Sequence, residues 1–551
     1  MLPVPQLKSG RIAALLLLAL AVAWTGAAGG AADEDADTRR PTTGESDGVA
    51  RTEDASTDSD SSDAGDADAD DEAESTEGSA EAQDSKGPLT PASRWQSAGS
   101  GVSPRRPDRW AMLDAVGVQL PRGSIIDPYN QNLIKGDFPF PGTRTFFKLD
   151  ALLNPVVVDD SQDNGDTLIN TNITIQTELF HGSTVFKPKD WAFKLSGKGL
   201  VQDGGNDIED ASLLEAFGEV KIADVSANYD FISFRGGVQF FKSDFNGFIF
   251  QDFNLGGQFF GDLNANRNQF TLAFVTVQES QASGGIQFDS QDQDVIFANW
   301  FQEDLFVPGF DVVFSVVHNQ DEQLLQLLGI EQSVTYVGFN SQGHLGRVVV
   351  NPTLYVATGE IDFGGGVTND ISGYMFGVDF QFPKNYLNYR GAVFMTSGDD
   401  DPTDGDDEGF DAIKDNVNLF GGATSFVIGG GNLGTRPNSF IPSFRGLGTQ
   451  SNFNNPGIVV VNAGIDAVLM PQLFFEGNIN YFQLVEGEAQ GAPADDLGSE
   501  VNIAVTWRVF LNENFVIKAA VNVFAPGDAG EFILGNDENI TTTTLNVVGL
   551  F

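Results

Sequence analysis

From about Thr143 to its last residue, Phe551, this chain repeats one pattern: short segments in which apolar and polar residues alternate. A period of two is that of a β-strand with unlike faces, because successive side chains point to opposite sides of a sheet. In residues 172–179, Ile173, Ile175 and Leu179 share one face, against Asn172, Thr174, Gln176 and Glu178. In 214–222, Leu214, Ala216, Gly218, Val220 and Ile222 oppose Glu215, Glu219 and Lys221. In 501–509, Val501, Ile503, Val505, Trp507 and Val509 oppose Asn502, Thr506 and Arg508. Phe515, Ile517, Ala519, Val521 and Val523 oppose Lys518 and Asn522, and the chain ends with Leu545, Val547, Gly549 and Phe551 on one side. The class is all-β.

A soluble sandwich also alternates, so the connections must separate the two architectures. About 18 strands can be read, with links that alternate long and short. Long ones include 159–168, 202–212, 278–291, 319–331, 358–370, 397–456, 486–498 and 525–539; short ones include 223–227, 261–267, 341–346, 383–386, 469–472 and 511–514. Long loops at one end and tight turns at the other, with both ends of the strand region on the short-turn side, predict a transmembrane antiparallel up-and-down β-barrel of about 18 strands. A strand closing on a terminal Phe predicts recognition of Phe551 by the outer-membrane barrel-assembly machinery. Trp191, Tyr355, Tyr374, Tyr389, Tyr481 and Trp507, near strand ends or on lipid-side positions, are expected in aromatic girdles.

Before the strands the composition changes. Lys8 and Arg11 precede an apolar run from Ile12 to Trp24 and a small-residue stretch, which predicts a signal peptide over 1–32. Residues 33–86 are mostly Asp, Glu, Ser, Ala, Gly and Thr; they predict a disordered acidic tail in the periplasm, either a solvated spacer or a means of recruiting a periplasmic partner. Residues 87–142, with Arg105, Arg106 and Arg109, are expected to form a periplasmic collar or plug before the barrel of 143–551.

The chain has 551 residues, a net charge of −47 and no cysteine. Such acidity argues against nucleic acid as a partner. Without cysteine there are no disulfides, thiolate metal sites, iron–sulfur clusters or covalently attached haem. His181, His318 and His344 are scattered and expected in turns or loops, and no hydrolase, P-loop or dinucleotide motif sits in a supporting context. The expectation is no enzyme and no cofactor.

The strand pattern places Lys148, Lys194, Lys198, Lys221, Arg235, Arg390, Arg508 and Lys518 on inward positions, with Asp150, Glu178, Glu215, Glu219, Asp379, Asp466 and Glu476. These are the predicted pore-lining residues. Their signs nearly balance, so acidic loops at the mouth would bias the lumen toward cations. Two readings of the interior stay open: a wet pore, or charges paired across the wall that partly close it. The stretch 244–252 is aromatic for a loop; Phe245, Phe248, Phe250 and Asp252 are candidates for a constriction folded into the lumen or for packing on the rim. In the longest link, Asp399, Asp401, Asp404 and Asp406 are weak Ca²⁺ candidates without EF-hand spacing; otherwise no metal is expected. Residues 416–455 are long enough to form a lid or gate.

Three runs carry a resemblance: Asp127-Pro-Tyr-Asn-Gln-Asn-Leu-Ile-Lys-Gly-Asp137, Lys242-Ser-Asp-Phe-Asn-Gly-Phe-Ile-Phe-Gln-Asp252, and Ser397-Gly-Asp-Asp-Asp-Pro402 with Gly409-Phe-Asp-Ala-Ile413. They resemble a family of uncharacterised porin-like outer-membrane proteins of Gram-negative bacteria, with a distant likeness to alginate-export barrels, over about residues 120–530. The resemblance implies an outer-membrane location in a Gram-negative bacterium and a porin-like barrel fold. The polar lumen and acidic loops lead to the expectation of a porin-like channel for passive diffusion of small solutes or ions. Trimers are common among porins of this size. The alternatives are a sheath around a periplasmic multihaem cytochrome and a polysaccharide exporter.

Overall fold

The computed structural model describes residues 133–161, 167–182, 188–204, 207–227, 230–325, 330–414, 425–429, 451–489, 491–511 and 513–551. The predicted signal peptide, the acidic tail and residues 87–132 lie outside the described residues. The chain is almost entirely strand. Its first elements are β1 (Lys135–Pro139), β2 (Thr145–Asp160), β3 (Thr167–His181), β4 (Trp191–Asp203) and β5 (Ile208–Asp224). Then come β6 (Phe231–Lys242), β7 (Gln251–Leu263), β8 (Asn268–Ser280), β9 (Ile286–Gln302) and β10 (Phe310–Leu325). The next are β11 (Ile330–Leu345), β12 (Val348–Asp362), β13 (Thr368–Lys384), β14 (Leu387–Thr396) and β15 (Asp406–Asp407). Last are β16 (Ile458–Met470), β17 (Leu473–Leu484), β18 (Asp496–Arg508), β19 (Phe515–Pro526) and β20 (Ile540–Leu550). Two short helices, α1 (Phe426–Gly429) and α2 (Asp528–Leu534), lie in links.

Eighteen strands, β2–β14 and β16–β20, pair antiparallel with their sequence neighbours, β14 pairing β16 across the longest link. The cylinder closes where β2 pairs β3 on one edge and β20 on the other, Leu152 facing Leu550 and Asp160 facing Thr542. β1 continues the line of β20 along β2. The Ala151 N–H donates to the Phe551 carbonyl at 3.1 Å, and the Leu149 N–H to the Ile134 carbonyl at 2.7 Å.

The predicted outer face carries the exposed apolar side chains: Ile173, Ile175, Phe193, Leu195, Val220, Ile222, Val501, Ile503, Val521, and the rings of Tyr374, Tyr389, Tyr481 and Trp507. A continuous belt of this kind faces hydrocarbon, where a closed ladder pairs backbone groups that lipid cannot. The molecule is a transmembrane β-barrel of the outer-membrane type. Among the described residues no helix is long and apolar enough to cross a membrane; the strands cross.

The structure corrects four sequence readings. Several links expected to be long are short because strands run past the belt: β4 and β5 are separated by 204–207, β8 and β9 by 281–285, and β12 and β13 by 363–367. Leu214 is buried, not lipid-facing, because it is the extra residue of a bulge between the pairs Ser196–Glu215 and Gly197–Leu213. Tyr355 is fully buried on the inner face rather than in a girdle. None of the histidines lies in a turn or loop: His181 ends β3, His318 is mid-strand in β10, and His344 is in β11.

One hairpin leaves the wall. β6 pairs β5 only from Val238 downward, and β7 pairs β8 only from Leu255 onward, yet the two remain paired to each other up to Lys242 and Gln251. The departure coincides with Gly237 facing Gly256. Gly237 has φ +129°, and a Cβ there would lie 2.4 Å from the Ala216 carbonyl oxygen; a Cβ on Gly256 would lie 2.2 Å from that of Phe274. Only glycine permits this bend. The tip of the β8–β9 hairpin closes the vacated position, with Ile286 opposite Leu213 of β5.

Candidate functional site: the barrel interior

The interior has an apolar side and a charged side. On the apolar side, inward residues of β8–β14, including Val275, Val295, Phe297, Val317, Tyr336, Tyr355, Met375 and Phe394, are buried under two inward-folded links. The first is the tip of the β6–β7 hairpin, 243–250. The second comprises the described parts of the long link, which contribute Phe410, Ile413, Phe426, Val427, Ile428 and Phe453. The aromatic loop therefore folds into the lumen. Phe248 and Phe250 are buried, with Phe248 stacked 6.2 Å from Phe394; Phe245 meets the Phe301 ring edge-on at 5.7 Å. Asp252 pairs with Lys414 at 2.5 Å, and the Ile413 and Lys414 N–H groups both donate to the Ile249 carbonyl, so the two links are tied together.

A buried carboxylate organises the first link. Asp244 Oδ1 accepts from the N–H groups of Asn246 and Gly247 at 2.8 and 2.5 Å, and Oδ2 accepts from the Phe248 N–H and the Tyr355 hydroxyl at 3.1 and 3.0 Å. Burial raises its pKa, against the pull of the three backbone N–H groups and of the Lys242 charge. Ser315 Oγ donates to the Ser243 carbonyl at 2.7 Å. These bonds fix the tip to β10 and β12.

The second link is held by Glu500 of β18. Its carboxylate accepts from Ser425 Oγ at 2.9 Å and from the N–H groups of Phe426 and Val427, where α1 begins. Phe426 stacks on Phe524 with centroids 5.5 Å apart. Beside Glu500 an amide ladder crosses four strands: Asn462 to Asn480 at 2.7 Å, Asn480 to Asn502 at 3.1 Å, and Asn502 to Asn522 at 3.0 Å.

On the charged side the inward ions are mostly paired within the wall. Lys148 meets Asp150 at 2.6 Å, Lys194 meets Glu215 at 2.5 Å, and Arg235 meets Glu219 at 2.7 Å. Glu178 pairs with Lys189, and Lys221 with Asp190 and Asp224, both at 3.0 Å. Arg390 meets Asp466 at 2.8 Å, and Lys518 meets Glu476 at 2.9 Å. Asp379 accepts from Asn351 Nδ2 at 2.9 Å, while Arg508 reaches Glu513 in a turn at 3.6 Å. The Lys198 ammonium makes no ion pair or hydrogen bond among the described residues. Lys148, Asp150, Glu178, Lys194, Glu215, Glu219 and Arg235 come together around one cavity of 170 Å³ between the β2–β5 wall and the bent hairpin, where Phe240 forms part of the lining. The remaining predicted residues lie elsewhere on the wall.

The acidic candidates for Ca²⁺ do not converge: among the described residues no three His, Cys, Asp or Glu side chains are placed to hold a metal. Asp399, Asp401 and Asp404 each accept a backbone N–H two residues on, as Asx turns do, and Asp406 starts the β15 spur. Seven of the ions that the alternation placed inward line the 170 Å³ cavity. That pattern missed Asp244, Tyr355, Glu500 and the Asn ladder, although asparagine at matching inward positions of four strands and the doublets Gly236-Gly237 and Gly256-Gly257 were visible.

No family model and no curated protein matches the chain. Solved structures of Pseudomonas aeruginosa do. OccK5 (OpdH) is 12% identical with a TM-score of 0.47, covering 74% of this chain and 98% of that one. OccK8 (OprE) is 11% identical with a TM-score of 0.46, covering 74% and 98%. The outer membrane protein OprD is 13% identical with a TM-score of 0.44, covering 74% and 93%.

Proposed function

We propose that this protein is a passive outer-membrane channel through which small solutes diffuse along the charged side of the lumen, with a preference for cations. The observation that carries this is the asymmetric interior. A wall of eighteen strands is wide enough to enclose an aqueous channel. The inward links pack against one side and leave the charged cavity along the other. The fifteen predicted inward ions are then the pore lining, and the β6–β7 tip is the constriction. No covalent chemistry is needed.

The preference for cations comes from the mouth. Wall ions mostly cancel in pairs, whereas the end holding the long link carries Asp399, Asp400, Asp401, Asp404, Asp406, Glu408, Glu486, Glu488, Asp528, Glu531, Asp537 and Glu538. With 397–457 outside the cell, β1 and Phe551 lie at the periplasmic end, so the predicted tail is periplasmic. The assembly machinery would engage the β20 edge before β2 covers it. Both the cytochrome-sheath and exporter readings need an interior clear of the chain's own loops, and this one is packed with them. Planar-bilayer recording under a KCl gradient tests the proposal: stable ohmic steps with a reversal potential toward that of K⁺ are expected, and a silent or anion-preferring barrel overturns it.

A further inference from the structure

The place where β6 and β7 leave the wall is also a weak seam facing lipid. Among the described residues, the edge of β5 from Ile208 to Glu215 that faces the vacated position keeps one ladder pair, Leu213 opposite Ile286. Three side-chain bonds support it: the Ser283 N–H and Oγ each donate to Asp210 Oδ2 at 2.8 and 2.7 Å, and the Ser283 and Ser212 hydroxyls bond at 2.5 Å. Leu213 is level with the lipid-facing Ile175, through the pairs Ile175–Gly197 and Gly197–Leu213. The seam therefore lies within the apolar belt, where unpaired strand edges are costly. Beside these polar groups the packing is apolar: Leu214, Val238 and Ile286 are each 3% exposed.

Cavities flank this part of the wall. Inside is the charged cavity, with Phe217 and Phe240 in its lining. Outside is a groove of 410 Å³ on the lipid face, whose lining includes Leu179, Phe193, Leu195, Ala216 and Gly236. Thr177, Lys194 and Phe217 border both, so one thickness of sheet separates them, immediately below the seam.

We propose that the seam between β5 and the β8–β9 tip is a lateral exit through which amphipathic solutes with an acyl-like apolar part pass from the lumen into the outer groove and the lipid. The lumen accepts the polar end among its ion pairs, and the apolar part follows Phe240, Phe217 and the seam into hydrocarbon, where transfer is downhill. No bond is made or broken. The inference rests on the channel reading for the path into the lumen.

The test uses the absence of cysteine in the native chain. Leu213→Cys with Ile286→Cys places two thiols on directly opposed residues of an antiparallel pair, whose Cα separation of about 4.5–5.5 Å permits a disulfide. The full chain is reconstituted in vesicles with lipopolysaccharide in the outer leaflet, and the uptake of a pyrene-labelled fatty acid and the ion conductance are both recorded. Expected is uptake above protein-free vesicles for the reduced double variant and the native chain, loss of that excess on oxidation, recovery on reduction, and unchanged conductance throughout. No excess uptake by the native chain overturns the inference, as does uptake indifferent to the cross-link. Joint loss of uptake and conductance also overturns it, because the seam would then only shape the axial pore. Seam-dependent uptake without axial conductance would instead support the lateral exit and refute the passive axial channel.

Discussion

Asp244 and Asp399 are acids placed where acids are costly, and each makes a distinct prediction. Removing the Asp244 carboxylate leaves three backbone N–H groups without an acceptor under the Phe248 and Phe250 rings and takes from the Tyr355 hydroxyl the group it donates to. An unsatisfied buried polar group costs about 1–3 kcal/mol. Asp244→Ala should therefore lower stability by several kcal/mol and add open-channel noise, whereas Tyr355→Phe, which also leaves the carboxylate its backbone donors, should cost only about 1 kcal/mol. Denaturant titration of both variants in detergent checks the ordering, and equal losses would show that the hydroxyl is the essential partner. Asp399 is tested by pH. Burial and the charges of Asp407, Asp404 and Glu408 outweigh its turn hydrogen bond and raise its pKa to about 6. The folded loop thus holds a proton that the unfolded chain releases near the ordinary aspartate value. Loop stability falls as pH rises through the interval between those values. Amide exchange at Gly409 and Phe410, bonded to the Phe453 and Ser397 carbonyls, should accelerate beyond the intrinsic base-catalysed increase as pH rises from 3.8 to about 6, and follow the intrinsic increase alone above that. Asp399→Asn should remove that excess.

At the scale of the element, the β6–β7 hairpin depends on glycine. Gly237→Val puts a branched Cβ against the Ala216 carbonyl in a backbone region valine avoids, and Gly256→Val meets the Phe274 carbonyl. Each should drive the hairpin back toward the wall, withdraw the tip from the lumen and enlarge the single-channel step. The same substitutions at Gly236 and Gly257, whose Cβ positions meet the Phe234 ring, should leave the step unchanged. Identical conductance in all four variants would show that the bend does not set the constriction. This element also marks the limit of what the sequence revealed. Strand number and the face given to Lys194 or Glu476 are read from a two-residue period, which is local; closure is read from the pattern of links. The bend is not local: it requires Gly237 and Gly256, nineteen positions apart, to face each other, and register between strands is set by the whole sheet. Link lengths failed for a related reason. Asp, Asn and Gln in 319–331 read as loop composition, yet β10 and β11 extend through much of that stretch, since strands beyond the belt need no apolar face.

For the molecule as a whole, the wall and the mouth make opposite electrostatic demands. Ion pairs such as Arg390–Asp466 and Lys194–Glu215 cancel each other's field over a few ångströms, so they give the lumen polarity with little sign. The acids of the long link, 486–488 and the α2 region have few cations beside them, and their field extends into the approach to the pore. Charge at the mouth acts through solvent and is screened: the Debye length is about 10 Å at 0.1 M salt and about 3 Å at 1 M. Cation preference should accordingly be strong at 0.1 M KCl and largely lost at 1 M, with conductance rising less than proportionally to salt. Replacing Asp400, Asp401, Asp404 and Glu408 by their amides should weaken the low-salt preference and leave the high-salt value unchanged. Reversal potentials at fixed concentration ratio over that range decide the matter. A preference that persists at 1 M would locate the selecting charge within contact distance of the permeating ion, on the wall and not at the rim, and would require one of the pairs to open during conduction.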